Sequence, residues 1–341
     1  MIKKADFWRW FYRRWDEAVV EPTNGYTVLL PVPGDLPVFL KIALEVCTTQ
    51  DPEHLYEILV IPDKSIQGFS ELLEKWIRNY SISPTRLINL KFPEQLITRY
   101  QNDPNSNHFL QIIRGTNQVK TTHALLHDAD LFITEPSFMK THYEVCTKSN
   151  LACLGVSPVW DSWYEEQGID HLVATWELMF ETAWVRSFQP WKHRGHNDII
   201  IGKQHTFDTT LWPQCQTSPE RISRHQKEWG FIHFNYVIST YRWFQRSKSS
   251  FEDIHFRLLL IRLLINAYDR SGWSYKVPLL DELKKGITDK SNRVTYLSEQ
   301  TQQNYSEFRS KLGKLIESGL IDDEKSSILS DGVQPFDRAF G

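Results

Sequence analysis

Four short apolar runs set the strongest limit on how this chain can fold. YTVLLPV (26–32), EILVIPDKS (57–65), RLINLKF (86–92) and HALLHDADLFI (123–133) read as strands. The second is apolar without a break up to Asp63, as in a parallel strand buried on both faces. Between the runs lie segments of helical period. LPVFLKIALEVCTT (36–49) carries Pro37 in its first turn and puts Phe39, Ile42, Ala43 and Val46 on one face. Residues 67–80 do the same with Phe69, Leu72, Leu73, Trp76 and Ile77. Residues 93–100 predict a short helix, and HFLQIIRGTNQVKT (108–121) a further one that Gly115 weakens. Strand and helix alternating in this way predict right-handed crossovers, a mostly parallel sheet and an α/β sandwich. Open sheets of that kind bind ligands beyond the carboxyl ends of their strands. Gly34, Asp35, Asp63 and the pair Asp128 and Asp130 are then expected along one rim. Two carboxylates separated only by Ala129 repel each other unless a cation, a ribose or an arginine lies between them.

The remaining features mainly exclude. A formal net charge of −3 over 341 residues gives no general attraction to nucleic acid or to an anionic membrane. Cys47, Cys146, Cys153 and Cys215 lack metal-ligand spacing, and so few cysteines in a chain this long fit a reducing, cytoplasmic setting. The opening residues are charged throughout, so no signal peptide is expected. FRLLLIRLLINAY is cut by Arg257 and Arg262 and is too short to cross a bilayer. Residues 1–20 predict a helix with Phe7, Phe11 and Trp15 in a stripe, Trp8 beside it, and Arg9, Arg13 and Asp16 away from it. Such a helix either rests on a membrane surface or packs on its own domain, and Asp6, Asp16 and Glu17 dilute its positive face.

The ordered motifs resemble the GT-A nucleotide-sugar glycosyltransferases, most closely the large family 2 type. Pro31, Val32, Pro33 and Gly34 stand at that family's loop after the first strand. Pro62, Asp63, Lys64 and Ser65 stand at its second motif. Asp128, Ala129 and Asp130 match its Asp-X-Asp, after a helix holding Gly115 and Asn117. The resemblance covers residues 26–160 and departs at Pro62, where an acidic residue often reads the base, and at Lys64, where a glycine is usual. Lys64 either reaches a phosphate or is a solvated turn residue.

The resemblance implies a GT-A three-layer sandwich with a mostly parallel central sheet, followed by a helical C-terminal region. With the helical patterns at either end, this divides the chain into residues 1–25 as an amphipathic helix, 26–245 as the transferase domain (donor half 26–160, acceptor half 161–245) and 246–341 as the helical region. That region could cap the acceptor site, form a homo-oligomer interface or complete the core. The implied donor residues are Pro31, Val32, Pro33, Asp63, Lys64 and Asp128. Mn²⁺ or Mg²⁺ would bind Asp128 and Asp130, with His233 in EWGFIHFNYVISTYRW as the third ligand, against His193, His196 and His205 as competitors. Asp208 in GKQHTFDTTLWPQ stands in a context that resembles the family's Gly-Gly-Phe-Asp loop and would be the catalytic base. Asp198 competes with it, and Glu177 and Glu181 read as a surface pair one helical turn apart. A retaining enzyme would need no such base. Trp160, Trp163, Trp184 and Trp191 either stack on an acceptor or pack in the core.

The implied activity is sugar transfer from a nucleotide sugar to a saccharide, lipid-linked or small-molecule acceptor. The competing readings are a degenerate transferase acting as a scaffold and a sugar-nucleotide pyrophosphorylase. VPGDLP lacks the glycine-rich basic loop of the latter. Residues 251–269 and 301–319 predict buried and amphipathic helices, and the polar tail from Asp322 predicts loose order.

Overall fold

Three of the apolar runs become the central strands of a seven-stranded sheet, while the run at 86–92 gives only Arg86 and Leu87 to an edge strand and its Phe92 begins a helix. In chain order the first eleven strands are β1 (Thr23–Val32), β2 (Leu55–Pro62), β3 (Thr85–Leu87), β4 (Thr121–Leu126), β5 (Leu131–Ile133), β6 (Cys153–Gly155), β7 (Leu178–Glu181), β8 (His196–Ile200), β9 (Lys203–Phe207), β10 (Ile222–Arg224) and β11 (Phe231–His233). The sheet runs β10-β6-β7-β4-β1-β2-β3. All its pairings are parallel except those of β7, which runs against both β4 and β6. The computed structural model describes residues 4–16, 21–64, 66–80, 82–225 and 229–341. Ser65 of the second motif, Glu228, and residues 1–3 and 17–20 of the expected N-terminal helix lie outside them.

The chain divides into two compact units. The first comprises 1–34, 47–129 and 135–230, and the second 35–46, 130–134 and 231–341. The first unit contains the whole central sheet. Its helix Pro104–Gln118 starts with Asp103 as N-cap, whose carboxylate accepts the Ser106 amide at 2.9 Å. Gly115, expected to weaken this helix, has a packing role instead. A Cβ there would lie 3.0 Å from Ile61 Cδ1 and 3.1 Å from Leu29 Cδ2, so glycine lets the helix approach β1 and β2 closely.

Three expectations change. HALLHDADLFI is not one strand: β4 ends at Leu126, and after a polar turn β5 pairs antiparallel with β11 in the second unit. The tail from Asp322 is an ordered helix, Asp323–Phe340, capped by Asp322 through the Lys325 amide at 2.8 Å. It buries Leu329, Val333 and Phe336. That stripe is interrupted by enough polar residues to read as solvated. Gly332 admits this helix against Arg257–Tyr268, since a Cβ there would lie 2.3 Å from Leu263 Cδ2. In the N-terminal helix, described from Lys4 to Phe11, Trp8 and the following Tyr12 turn inward, while Phe7 and Phe11 stay exposed.

The second unit also hides two guanidinium groups. Arg262 donates to the carbonyls of Pro278, at 2.7 Å, and Val277. Arg242, fully buried, donates to Asp35 at 2.6 Å, and Tyr241 and Gln245 donate to the same carboxylate oxygen.

Gly115→Val should cost about 1–3 kcal/mol by overpacking against Ile61 and Leu29. A lowered urea midpoint with an unchanged m-value would show it.

Candidate active site

The parallel register fixes which residues share a rim. Val32 of β1 pairs with Pro62 of β2, and Leu29 of β1 with Leu126 of β4. The chain leaves all three strands on the same side, carrying Pro33 and Gly34, Asp63 and Lys64, and His127 and Asp128 with it. Pro31 and Val32 are themselves buried in β1. Lys64 is half-buried.

The helix Pro104–Gln118 ties this rim together. Gln111 Nε2 donates to the carbonyls of Val32 at 2.9 Å and Ile61 at 2.5 Å, at the paired ends of β1 and β2. Asn107 Nδ2 donates to Asp63 Oδ2 at 2.8 Å, and the Gly34 amide donates to Asp63 Oδ1 at 3.1 Å. Asp63 is only 3 % exposed, so a carboxylate costly to bury has both oxygens engaged. Gly34 is required by the close approach of the two loops: a Cβ there would fall 2.2 Å from the Lys64 carbonyl oxygen. One turn along the helix from Gln111, His108 Nε2 lies 3.6 Å from Asp128 Oδ1.

Asp130 opens β5 in the second unit, and His233 closes β11. The antiparallel pairing of His233 with Leu131 brings the imidazole alongside Asp130, Nε2 to Oδ1 at 3.4 Å. Burial opposes ionisation of Asp130, but the hydrogen bond and charge of His233 and the backbone amides of Asp130 and Val237 outweigh it. The carboxyl is held below the usual range and is an anion at neutral pH. Only Ala129 separates Asp128 from Asp130 along the chain. One ligand atom from each of Asp128, Asp130 and His233 lies within 4.8 Å of the others, the one such acidic or histidine group of three or more among the described residues. Two carboxylate oxygens and an imidazole nitrogen, with one carboxylate kept ionised, fit a divalent cation that accepts oxygen and nitrogen donors.

No protein-family model matches the chain, and no curated protein sequence matches it significantly. Solved structures do match. TarS 1–349 from S. aureus in complex with UDP-GlcNAc is 14% identical, with 93% of this chain and 82% of that one covered at a TM-score of 0.42. The mannosyltransferase PcManGT from Pyrobaculum calidifontis, in complex with GDP-Man and Mn²⁺, is 11% identical, with 97% and 85% covered at 0.42. The galactosyltransferase LgtC, in complex with donor and acceptor sugar analogs, is 10% identical, with 49% and 62% covered at 0.38. The chain is similar in structure to glycosyltransferases.

The other histidines have structural partners. His193 is buried, bonds through Nε2 to the Val185 carbonyl at 2.9 Å, and is pushed by desolvation down to about 4. His196 lies 2.5 Å from the Arg194 carbonyl. His205 stacks on Trp163 at 3.8 Å between ring centroids and meets Asp161 at 3.2 Å. Asp208 follows β9 in the first unit, half-buried, and its Oδ1 accepts the Thr209 amide at 2.7 Å. Asp198 is bonded to Lys192 at 2.8 Å. Trp184 is buried, Trp163 and Trp191 are half-buried, and Trp160 is 72 % exposed.

Glu177 and Glu181 are not a helical surface pair. Glu177 directly precedes β7 and Glu181 ends it, and this strand, buried at Leu178, Met179 and Phe180, stands in place of the expected helix. Glu181 bonds Arg221 at 2.7 Å. Glu177 is fully buried and accepts from His127 Nδ1 at 2.6 Å, beside the rim. It holds a left-handed φ of 51°, uncommon for a glutamate. Sequence reasoning missed this pair because 50 residues separate its members. The one local signal is a histidine and an acid within otherwise apolar runs. Glu177→Ala should destabilise the protein by about 3 kcal/mol, and Glu177→Gln, which retains an acceptor, by less. Chemical denaturation of both variants measures the difference.

Proposed function

We propose that this chain is a GT-A-type glycosyltransferase that moves a hexose from a nucleoside-diphosphate sugar to an acceptor hydroxyl. The acceptor class is a saccharide, a lipid-linked sugar or a small molecule. The observation that carries the reading is the grouping of Asp128, Asp130 and His233, of which Asp128 leaves β4 on the side where β1 and β2 also end. In this reading Asp128, Asp130 and His233 hold a divalent cation. The mixed oxygen and imidazole set favours Mn²⁺ over Mg²⁺. The cation supplies Lewis-acid neutralisation of the departing diphosphate.

The protein's own groups do the rest. The loops bearing Pro33, Gly34 and Lys64, held by Asp63, line the nucleotide side, and Asp128 faces the ribose. Transfer forms a bond from the acceptor oxygen to the sugar's anomeric carbon and breaks the bond to the diphosphate. Asp208 takes the acceptor's proton as general base, which corresponds to inversion at the anomeric carbon. Asp208 is itself only partly buried.

The test is thermal shift and transfer with UDP-, GDP-, ADP-, CDP- and dTDP-linked sugars, each with Mn²⁺, Mg²⁺ or chelator. One donor with Mn²⁺ should raise Tm by about 2–4 °C near saturation. Chelator and Asp130→Ala should both abolish the rise. Asp208→Asn should keep the shift and lose about a hundredfold or more in transfer rate. No metal-dependent shift with any donor would overturn the reading and favour a scaffold role.

A further inference from the structure

Two neighbouring helices of the first unit expose aromatic side chains that the site does not use. In Lys4–Phe11, Trp8 and the adjoining Tyr12 are buried against Phe109, while Phe7, Trp10 and Phe11 are 37 %, 68 % and 38 % exposed. In Phe92–Gln101 the inward face carries Glu94 and Thr98, and Phe92, Leu96 and Tyr100 are 72 %, 36 % and 85 % exposed. Their i, i+4, i+8 spacing makes one continuous outward stripe. The helices are joined directly. Tyr12 donates to Glu94 at 3.0 Å, and Lys91 bonds Asp16 at 2.7 Å.

Leaving six large apolar side chains outside on two bonded helices is costly unless something covers them. The charges around them indicate what. Arg9, Arg13, Arg14 and Arg99 are all exposed there. Of the acids near them in the chain, Asp16 is bonded to Lys91 and Arg114, Glu94 is buried, and Asp6 and Glu17 offset the four arginines only in part. A chain whose net charge is −3 thus presents a locally basic, aromatic surface. Aromatic rings flanked by arginine suit the headgroup region of a bilayer, where ring bodies are apolar and guanidinium groups meet phosphate. Among the described residues no helix is long and apolar enough to cross a membrane, so such contact is in the plane of the surface.

We propose that the outward faces of Lys4–Phe11 and Phe92–Gln101 dock this protein on an anionic lipid surface. The aromatic side chains enter the headgroup layer, and the arginines select anionic lipid. The proposal is independent of the transferase reading, because none of these residues belongs to the candidate active site.

The test is co-sedimentation of the full chain with vesicles of phosphatidylcholine alone, or with about a third phosphatidylglycerol. Binding should occur to the anionic vesicles, weaken in high salt and be slight with the neutral ones. Trp10→Ser with Phe92→Ser should weaken it about tenfold or more. Arg13→Glu with Arg14→Glu should do likewise. Both pairs are exposed, and an unchanged melting temperature would confirm folding. Absence of binding to anionic vesicles, or equal binding by wild type and both variants, would overturn the proposal. So would sedimentation velocity showing a dimer that Trp10→Ser with Phe92→Ser dissociates while vesicle binding persists, since the patch would then face a second copy.

Discussion

One buried carboxylate organises the rim of the first unit. Asp63 accepts the Gly34 amide with one oxygen and the Asn107 side chain with the other. It thereby joins the end of β1, the end of β2 and the helix Pro104–Gln118. Each of these needs the others. Without Asn107 and Gly34, burying Asp63 would be unfavourable. Without Asp63, the Gly34 amide would lose its acceptor, and the loops after β1 and β2 would lose their tie. The helix can serve this role only because Gly115 lets it approach the sheet, and Gln111 then closes the two strand ends. A single close approach thus sets the position of Asn107, His108 and Gln111 together.

Much of this was legible in the sequence. The continuous apolar runs marked β1, β2 and β4, because strands covered on both faces have no polar alternation. The parallel topology followed from the helices between them, and topology alone placed Gly34, Asp63 and Asp128 on one side. His233 was visible as a histidine inside an apolar run, and β5–β11 pairing accounts for its position beside Asp130. Less legible were features that depend on partners distant in the chain. The helix pattern around Glu177 gave way to a strand because β7 fills the gap between β4 and β6. The helix Asp323–Phe340 was hidden because its buried stripe is narrow and Gly332 and Pro335 look like breakers. In context, Gly332 is what lets two helices touch.

The two buried carboxylates Asp63 and Asp130 are stabilised by different means. On the sheet rim, amides and side-chain amides fix the carboxylate of Asp63 in a dry setting. Around Asp130, burial alone would favour the protonated acid, and an imidazole with two backbone amides reverses that preference. Neither arrangement can be read from residue type, since an aspartate after a strand is equally a turn residue. The distinction comes from what each carboxylate accepts.

Arg242 and Asp35 have a consequence for how the chain is made. They are 207 positions apart, and the buried guanidinium has the early aspartate as its carboxylate acceptor. Segment 35–46 leaves the ribosome long before the helices it joins. Until Arg242 follows, the second unit lacks the charge that its aspartate will neutralise. Residues up to 230 complete the first unit, whereas the second needs residues up to 341, so in synthesis the second unit closes last.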